Sequence, residues 1–142
     1  MNIPMNQGLA AMATALSCAG VQASSHLVDI AWSPDGRFAY QGPIAAGKFV
    51  ELCGKFTARD AVRWNFTTAA PVDFNIHHHV GKEVVYPVKQ VQVGAGRDTL
   101  SVAVAQDHCW MWTLSLMKSA SAERVARSRP GTIAGTMKVL RR

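Results

Sequence analysis

The chain reads as a succession of short segments in which apolar and polar residues alternate with a period of two. The clearest is "AVRWNFTT" (Ala61–Thr68), with Val62, Trp64 and Phe66 on one side and Arg63, Asn65 and Thr67 on the other. Successive side chains of an extended strand point to opposite faces, so this pattern predicts a half-buried β-strand. The same reading applies to "HLVDIAW" (His26–Trp32), "GKFVELCGKFTA" (Gly47–Ala58), "VDFNIHHHV" (Val72–Val80), "EVVYPVKQVQV" (Glu83–Val93), "DTLSVAVA" (Asp98–Ala105) and "HCWMWTLSLM" (His108–Met117). Turn residues separate them at "SPDG" (Ser33–Gly36), "GK" (Gly81–Lys82), "GAGRD" (Gly94–Asp98) and "AQD" (Ala105–Asp107). "SPDG", lying between His26–Trp32 and "RFAYQG", predicts a hairpin. Gly54 predicts a bulge in its strand, and Pro87 an edge or a bend. Short strands at this spacing, with no convincing helix between them, predict one all-β domain built as an antiparallel, jelly-roll-like β-sandwich.

The sandwich is expected over residues 24–117. Residues 118–142 form a basic C-terminal segment, with "SASAERVARS" read as a helical turn and "TMKVL" as a final strand, or with part of it disordered. "WSPDGRFAY" is similar to a β-propeller blade signature. A propeller repeats its blade several times and this chain holds the motif once, which excludes that architecture.

A chain of 142 residues has room for one domain with a real core. Its net charge of +6 is unevenly placed. Eight Lys/Arg and eight Asp/Glu cancel up to Met117, whereas Lys118–Arg142 holds seven Lys/Arg against Glu123 alone. The sandwich is therefore neutral, which argues against a nucleic-acid-binding face on it. The basic tail could touch an acidic membrane surface or a partner, or be simply solvated.

Residues 1–23 read as a secretory leader, with an apolar stretch from Leu9 to Leu16 and small residues at Val21 and Ala23 before the expected cut. No Lys or Arg precedes the apolar stretch. "ALSC" is close to a lipoprotein box that would acylate Cys18, but Leu16 stands one place too late. The expected destination is the periplasm or the exterior, and the competing reading is a helical N-terminus on a cytosolic protein. Once the leader removes or lipidates Cys18, Cys53 and Cys109 remain. An oxidising compartment would let them pair, which contributes about 3–5 kcal/mol for a loop of this size. Two buried thiols are the alternative.

The densest chemistry lies in "DFNIHHHV" and "DHCWMW". On a strand, Phe74, Ile76, His78 and Val80 share the core face, while Asn75, His77 and His79 share the other. His77 and His79 then stand about 7 Å apart along the strand and could reach one zinc or copper ion. Zinc wants about four ligands, so His26, His108 or Asp73 would have to help. The bland alternative is a solvent-facing strand edge. Cys109 and Met111 share one face of their strand, Trp110 and Trp112 the other. His, Cys and Met are blue-copper ligands, but His108 precedes Cys109 and no His stands between Cys109 and Met111, which argues against that site. A softer Cu(I) site from His, Met and Trp stays open beside plain core packing. Catalysis is the weakest reading, because no nucleophile–base motif is present.

"ELCGKFTA", "RWNFTTAAPVDFNIHHHVGKEVVYPV" and "HCWMWT", in this order, resemble GOLD-like β-sandwich domains, including small exported bacterial relatives. Eukaryotic members of that family sit in secretory-pathway cargo receptors, where two corresponding cysteines form a disulfide. The resemblance spans about Val50 to Thr113 and implies a sandwich, a Cys53–Cys109 disulfide and a binding habit rather than a catalytic one. The coiled coil and membrane anchor of the cargo receptors have no counterpart here, so the cargo role does not transfer. The expectation is a non-catalytic exported binding module of the cell envelope. Its interaction face would be Asn75, His77 and His79, and its partner an envelope protein or ligand. The alternative is a periplasmic copper or zinc handler using His77 and His79 with His108 and Met111.

Overall fold

The computed structural model describes residues 25–116 and 131–140. The strands are β1 (His26–Asp29), β2 (Arg37–Ile44), β3 (Lys48–Lys55), β4 (Ala61–Val80), β5 (Glu83–Ser101), β6 (Asp107–Leu114) and β7 (Gly131–Leu140), with no helix among the described residues. They form one curled sheet in the order β1-β3-β6-β4-β7-β2, with β5 along the remaining edge of β4. The expected leader, Cys18 and the "SASAERVARS" stretch lie outside the described residues.

The curl is made by β4, which is 20 residues long. Its first half, Ala61–Thr68, pairs with β7, and its second half, Asp73–His78, pairs with β6 on the same edge. The other edge of β4 is lined by β5 on both sides of the bend. The result is two layers, β2-β7 with the first half of β4 and β1-β3-β6 with the second, packed face to face. At the corner the β4–β5 register jumps from Thr67/Ala95 to Val72/Val93. Pro71 lies in this gap, and the Thr68 hydroxyl sits 2.7 Å from the Ala70 carbonyl and 3.2 Å from that of Gly94. Two bulges in β5 follow, around Gln92 and around Pro87. Gln92 has a positive φ of 54°, and the Asp73 carboxylate accepts from its backbone N–H and its side-chain amide, each at 3.1 Å. Pro87 has no N–H to donate, so a bulge is a natural place for it.

Apolar residues at alternate positions of each strand supply the core. Across the β3-β6-β4 layer, Val50, Trp112 and Phe74 form one row and Leu52, Trp110 and Ile76 the next. Trp64 and Phe66 face them from the first half of β4. Phe66 and Phe74 meet at 4.6 Å between ring centroids, and Trp112 closes on both at 5.5 and 5.3 Å. Two residues of one strand thus become partners across the sandwich.

Three expectations are corrected, and the final strand expected at "TMKVL" is present within a longer one. The "SPDG" turn forms, with the Gly36 N–H donating to Ser33 at 2.8 Å, but it does not close a hairpin. β1 lies parallel on β3 and β2 antiparallel on β7, so this turn carries the chain between layers. Turn chemistry specifies a change of direction and leaves the strand partner to packing. The segments expected as separate strands on either side of residues 69–71, and on either side of "GAGRD", are continuous as β4 and β5. Gly96 fits the strand because its bare backbone leaves space for the Phe66 and Trp64 rings, and Gly94 stands in open space. Gly54 makes no bulge, since β3 stays in register with β6 through it. Its missing Cβ leaves room for Ile30 and Phe56, whose atoms would lie 3.2 and 3.4 Å from one. Gly131–Leu140, which contains "TMKVL", runs between β2 and β4, so the sandwich extends past Met117.

Gly96 is opposite Phe66, and a Cβ there would stand 2.6 Å from the Phe66 ring. Gly96→Ala should therefore lower the unfolding free energy by about 1–3 kcal/mol through overpacking. Phe74→Ala should lower it by about 3–5 kcal/mol. Urea titration followed by tryptophan fluorescence measures both, and a neutral Gly96→Ala would mean that the ring is free to shift.

Candidate functional site

The outer face of the β3-β6-β4 layer carries the polar chemistry. Register places Glu51, Met111 and Asn75 in one row and Cys53, Cys109 and His77 in the next. Alternation puts all six, with His79, on the same face. Cys53 and Cys109 form a disulfide with an S–S distance of 2.08 Å. Glu51 and His77 reach toward each other over β6, with Glu51 Oε1 at 3.0 Å from His77 Nε2. On the other side of the ring, Nδ1 lies 2.9 Å from Asn75 Oδ1. The ring of His79 stands edge-on to His77 at 5.6 Å, and the ring of Tyr86 on β5 is tilted against His77 at 5.8 Å.

This arrangement corrects the exposed face expected for Asn75, His77 and His79. Asn75 and His77 are only 9% and 6% exposed, and His79 alone of the three is open to solvent. Neighbouring side chains on a crowded sheet face bury what strand alternation alone would leave wet. Burial pushes the His77 pKa below the ordinary histidine value, against the opposing pull of Glu51. An imidazole between two oxygen acceptors is fully satisfied only with protons on both nitrogens. Burial works against that charge.

The inner face holds the other histidine pair. His78 and His108 are cross-strand neighbours with ring centroids 4.6 Å apart, and His78 is 6% exposed. His78 therefore points inward, as alternation predicts. His108 contacts the Gln106 carbonyl through Nδ1 at 3.1 Å and meets Phe56 edge-on. Its pKa is also lowered, first by burial. The four residues expected to share a metal are consequently divided. His77, His79 and Met111 belong to the outer face, and His108 belongs to the inner face with His78. His26 stands on β1 opposite Val50, in the row that ends at Phe74, and Asp73 is engaged with Gln92 and Ser115. Glu51 was missed from sequence, because its approach to His77 spans the intervening strand β6.

A second feature is the β4–β5 hairpin. Val80 pairs with Glu83 around a two-residue turn at Gly81 and Lys82, with φ of Gly81 at 61°. A positive φ at the first turn residue suits glycine and a tight hairpin. The hairpin exposes Val80, Val84, Val85, Tyr86 and, further along, Val91. Lys89 Nζ lies 5.0 Å above the Tyr86 ring.

Comparison with known proteins gives a fold likeness. No family model matches the chain, and no curated protein matches it either. Among solved structures it is similar to PliG, a periplasmic lysozyme inhibitor of g-type lysozyme, from Aeromonas hydrophila. That match has 10% identity and a TM-score of 0.57, covering 83% of this chain and 100% of that one. The corresponding protein of Salmonella Typhimurium matches at 7% identity and a TM-score of 0.54, covering 82% and 100%. A PliG mutant from Escherichia coli matches at 9% and 0.55, also covering 82% and 100%. These likenesses establish a small all-β domain of the same general architecture.

Two histidines with lowered pKa values set a direction for pH dependence. Below the unfolded value of 6.5 the unfolded chain binds more protons than the folded one at His77 and His108. The stability they contribute is complete above pH 6.5 and is lost as the pH falls below it. Urea midpoints should drop between pH 7 and about 5, and His108→Gln should reduce that slope. A midpoint unchanged across this window would show that both rings accept protons freely in the fold.

Proposed function

We propose that the chain is an exported, non-catalytic module that docks on a protein partner through its β4–β5 hairpin. The observation that carries this reading is the hairpin itself. Val80 and Val85 lie on one of its faces and Val84 and Tyr86 on the other, all exposed. A projecting cluster of branched aliphatics around one tyrosine is costly to leave in water and suited to a pocket on another protein. Disulfides persist in oxidising compartments, so the Cys53–Cys109 bond supports export together with the leader-like N-terminus. The GOLD-like order of Cys53, the histidine strand and Cys109 supports a binding habit, as does the likeness to PliG over that protein's whole length. We take the partner to be a cell-wall-degrading enzyme of the lysozyme type, with this chain as its inhibitor.

The test is calorimetric titration of the chain into a g-type lysozyme, in parallel with a cell-wall lysis assay. Binding with inhibition is expected. Val84→Asp combined with Tyr86→Ala should weaken it by about 2 kcal/mol or more while leaving the melting temperature within a few degrees. Absence of binding would overturn the lysozyme assignment. Binding insensitive to the hairpin substitutions would overturn the docking surface.

A further inference from the structure

We propose that opening the Cys53–Cys109 disulfide converts this part of the outer face into a zinc-class metal site made of Cys53, Cys109, Glu51 and His77. The starting observation is a spacing. A carboxylate oxygen of Glu51 and the sulfurs of Cys53 and Cys109 all lie within 4.8 Å of one another. His77 Nε2 is 3.0 Å from Glu51 Oε1. Tetrahedral zinc, with bonds of about 2.0–2.3 Å, separates its ligand atoms by roughly 3.3–3.8 Å. Once the S–S bond is broken, the two thiolates and Glu51 start from near such separations, and His77 joins them by turning its ring from Glu51 toward the sulfurs. Two thiolates, one imidazole and one carboxylate form a donor set that zinc accepts.

The surroundings fit the role. With the Asn75 amide as placed, its oxygen faces His77 Nδ1 at 2.9 Å and holds a proton there. Nε2 then keeps its lone pair for a metal, and Asn75 becomes the outer group that orients the ligand. In the oxidised form Nε2 and the Glu51 oxygen lie 3.0 Å apart, and a cation between them would be ligated by both. His79 lies next to His77 on the same open side but is not needed to complete four ligands.

Access to the disulfide is from the β1 side. An open cleft of about 400 Å³ is lined by Asp29, Ile30, Trp32, Cys53, Gly54, Lys55 and Asp107. Cys109 is 8% exposed, and Cys53 is the partner that borders the cleft. A dithiol reductant would attack Cys53 Sγ with one thiolate, and Cys109 would leave as a thiolate. The second thiol of the reductant then displaces Cys53 from the mixed disulfide. Two electrons pass to the protein, and the reductant departs as its own disulfide. Metal uptake then releases the thiol protons.

The experiment uses the full chain carrying Cys18→Ser, so that the two remaining cysteines are the only thiols. Cobalt(II), then zinc(II), is titrated into the protein before and after reduction with a phosphine. Thiolate-to-cobalt charge-transfer absorption and near-ultraviolet circular dichroism are followed together. One equivalent should bind after reduction and none before, with the intense visible bands of tetrahedral cobalt. His77→Ala and Glu51→Gln should each weaken uptake by about tenfold or more. Equal uptake by the oxidised chain would overturn the proposal, and so would reduced protein that takes up no cobalt. Uptake indifferent to both substitutions would also overturn it, folded or not, because an unfolded dithiol binds metal without regard to Glu51 or His77.

Discussion

The contact between Phe66 and Phe74 is the constraint on which the architecture rests. Both belong to β4, eight positions apart, yet their rings meet across the sandwich at 4.6 Å. That is possible only because β4 turns a corner at residues 68–71 and changes neighbour from β7 to β6. Everything that pairs with either half is thereby assigned to one layer or the other. Trp64 and Trp112 complete the cluster on either side, so the bend is held by a large apolar area rather than by the few hydrogen bonds at the corner.

The same strand also divides the histidines. Because side chains alternate, one triplet delivers His77 to the outer face and His78 to the inner one, and the neighbouring strand β6 does the same with Cys109 and His108. The inner pair stands ring against ring, with Phe56 edge-on to His108. The outer one sits in a polar network with Glu51, Asn75 and the disulfide. The exposed apolar hairpin and the polar network are therefore close together but distinct. The apolar hairpin continues past the last β4–β6 pair, and Tyr86 joins the two, its ring tilted against that of His77 at 5.8 Å.

Much of this was legible beforehand. Period-two alternation identified the strand segments and the inward residues Val62, Trp64, Phe66, Phe74, Ile76 and His78. The glycine at position 81 marked a turn that the structure closes as a tight hairpin, and the GOLD-like order implied the disulfide that the structure contains. The burial of Asn75 and His77 was not legible, because alternation assigns a face without saying how crowded that face is. Nor was the approach of Glu51 to His77, for no local spacing links residues two strands apart in a sheet.

The sequence by itself determined the local state of the chain: extended, alternating, turning at Ser33–Gly36 and Gly81–Lys82, and neutral up to Met117. These follow from forces acting over a few residues, namely backbone sterics, side-chain alternation and turn geometry. Only the tertiary structure decided which strands became neighbours, that β1 lies parallel on β3, and that β4 and β5 each run unbroken through the corner. Those outcomes depend on burying large aromatic side chains against residues far away in the chain, a term that is non-directional and leaves no periodic mark on the sequence.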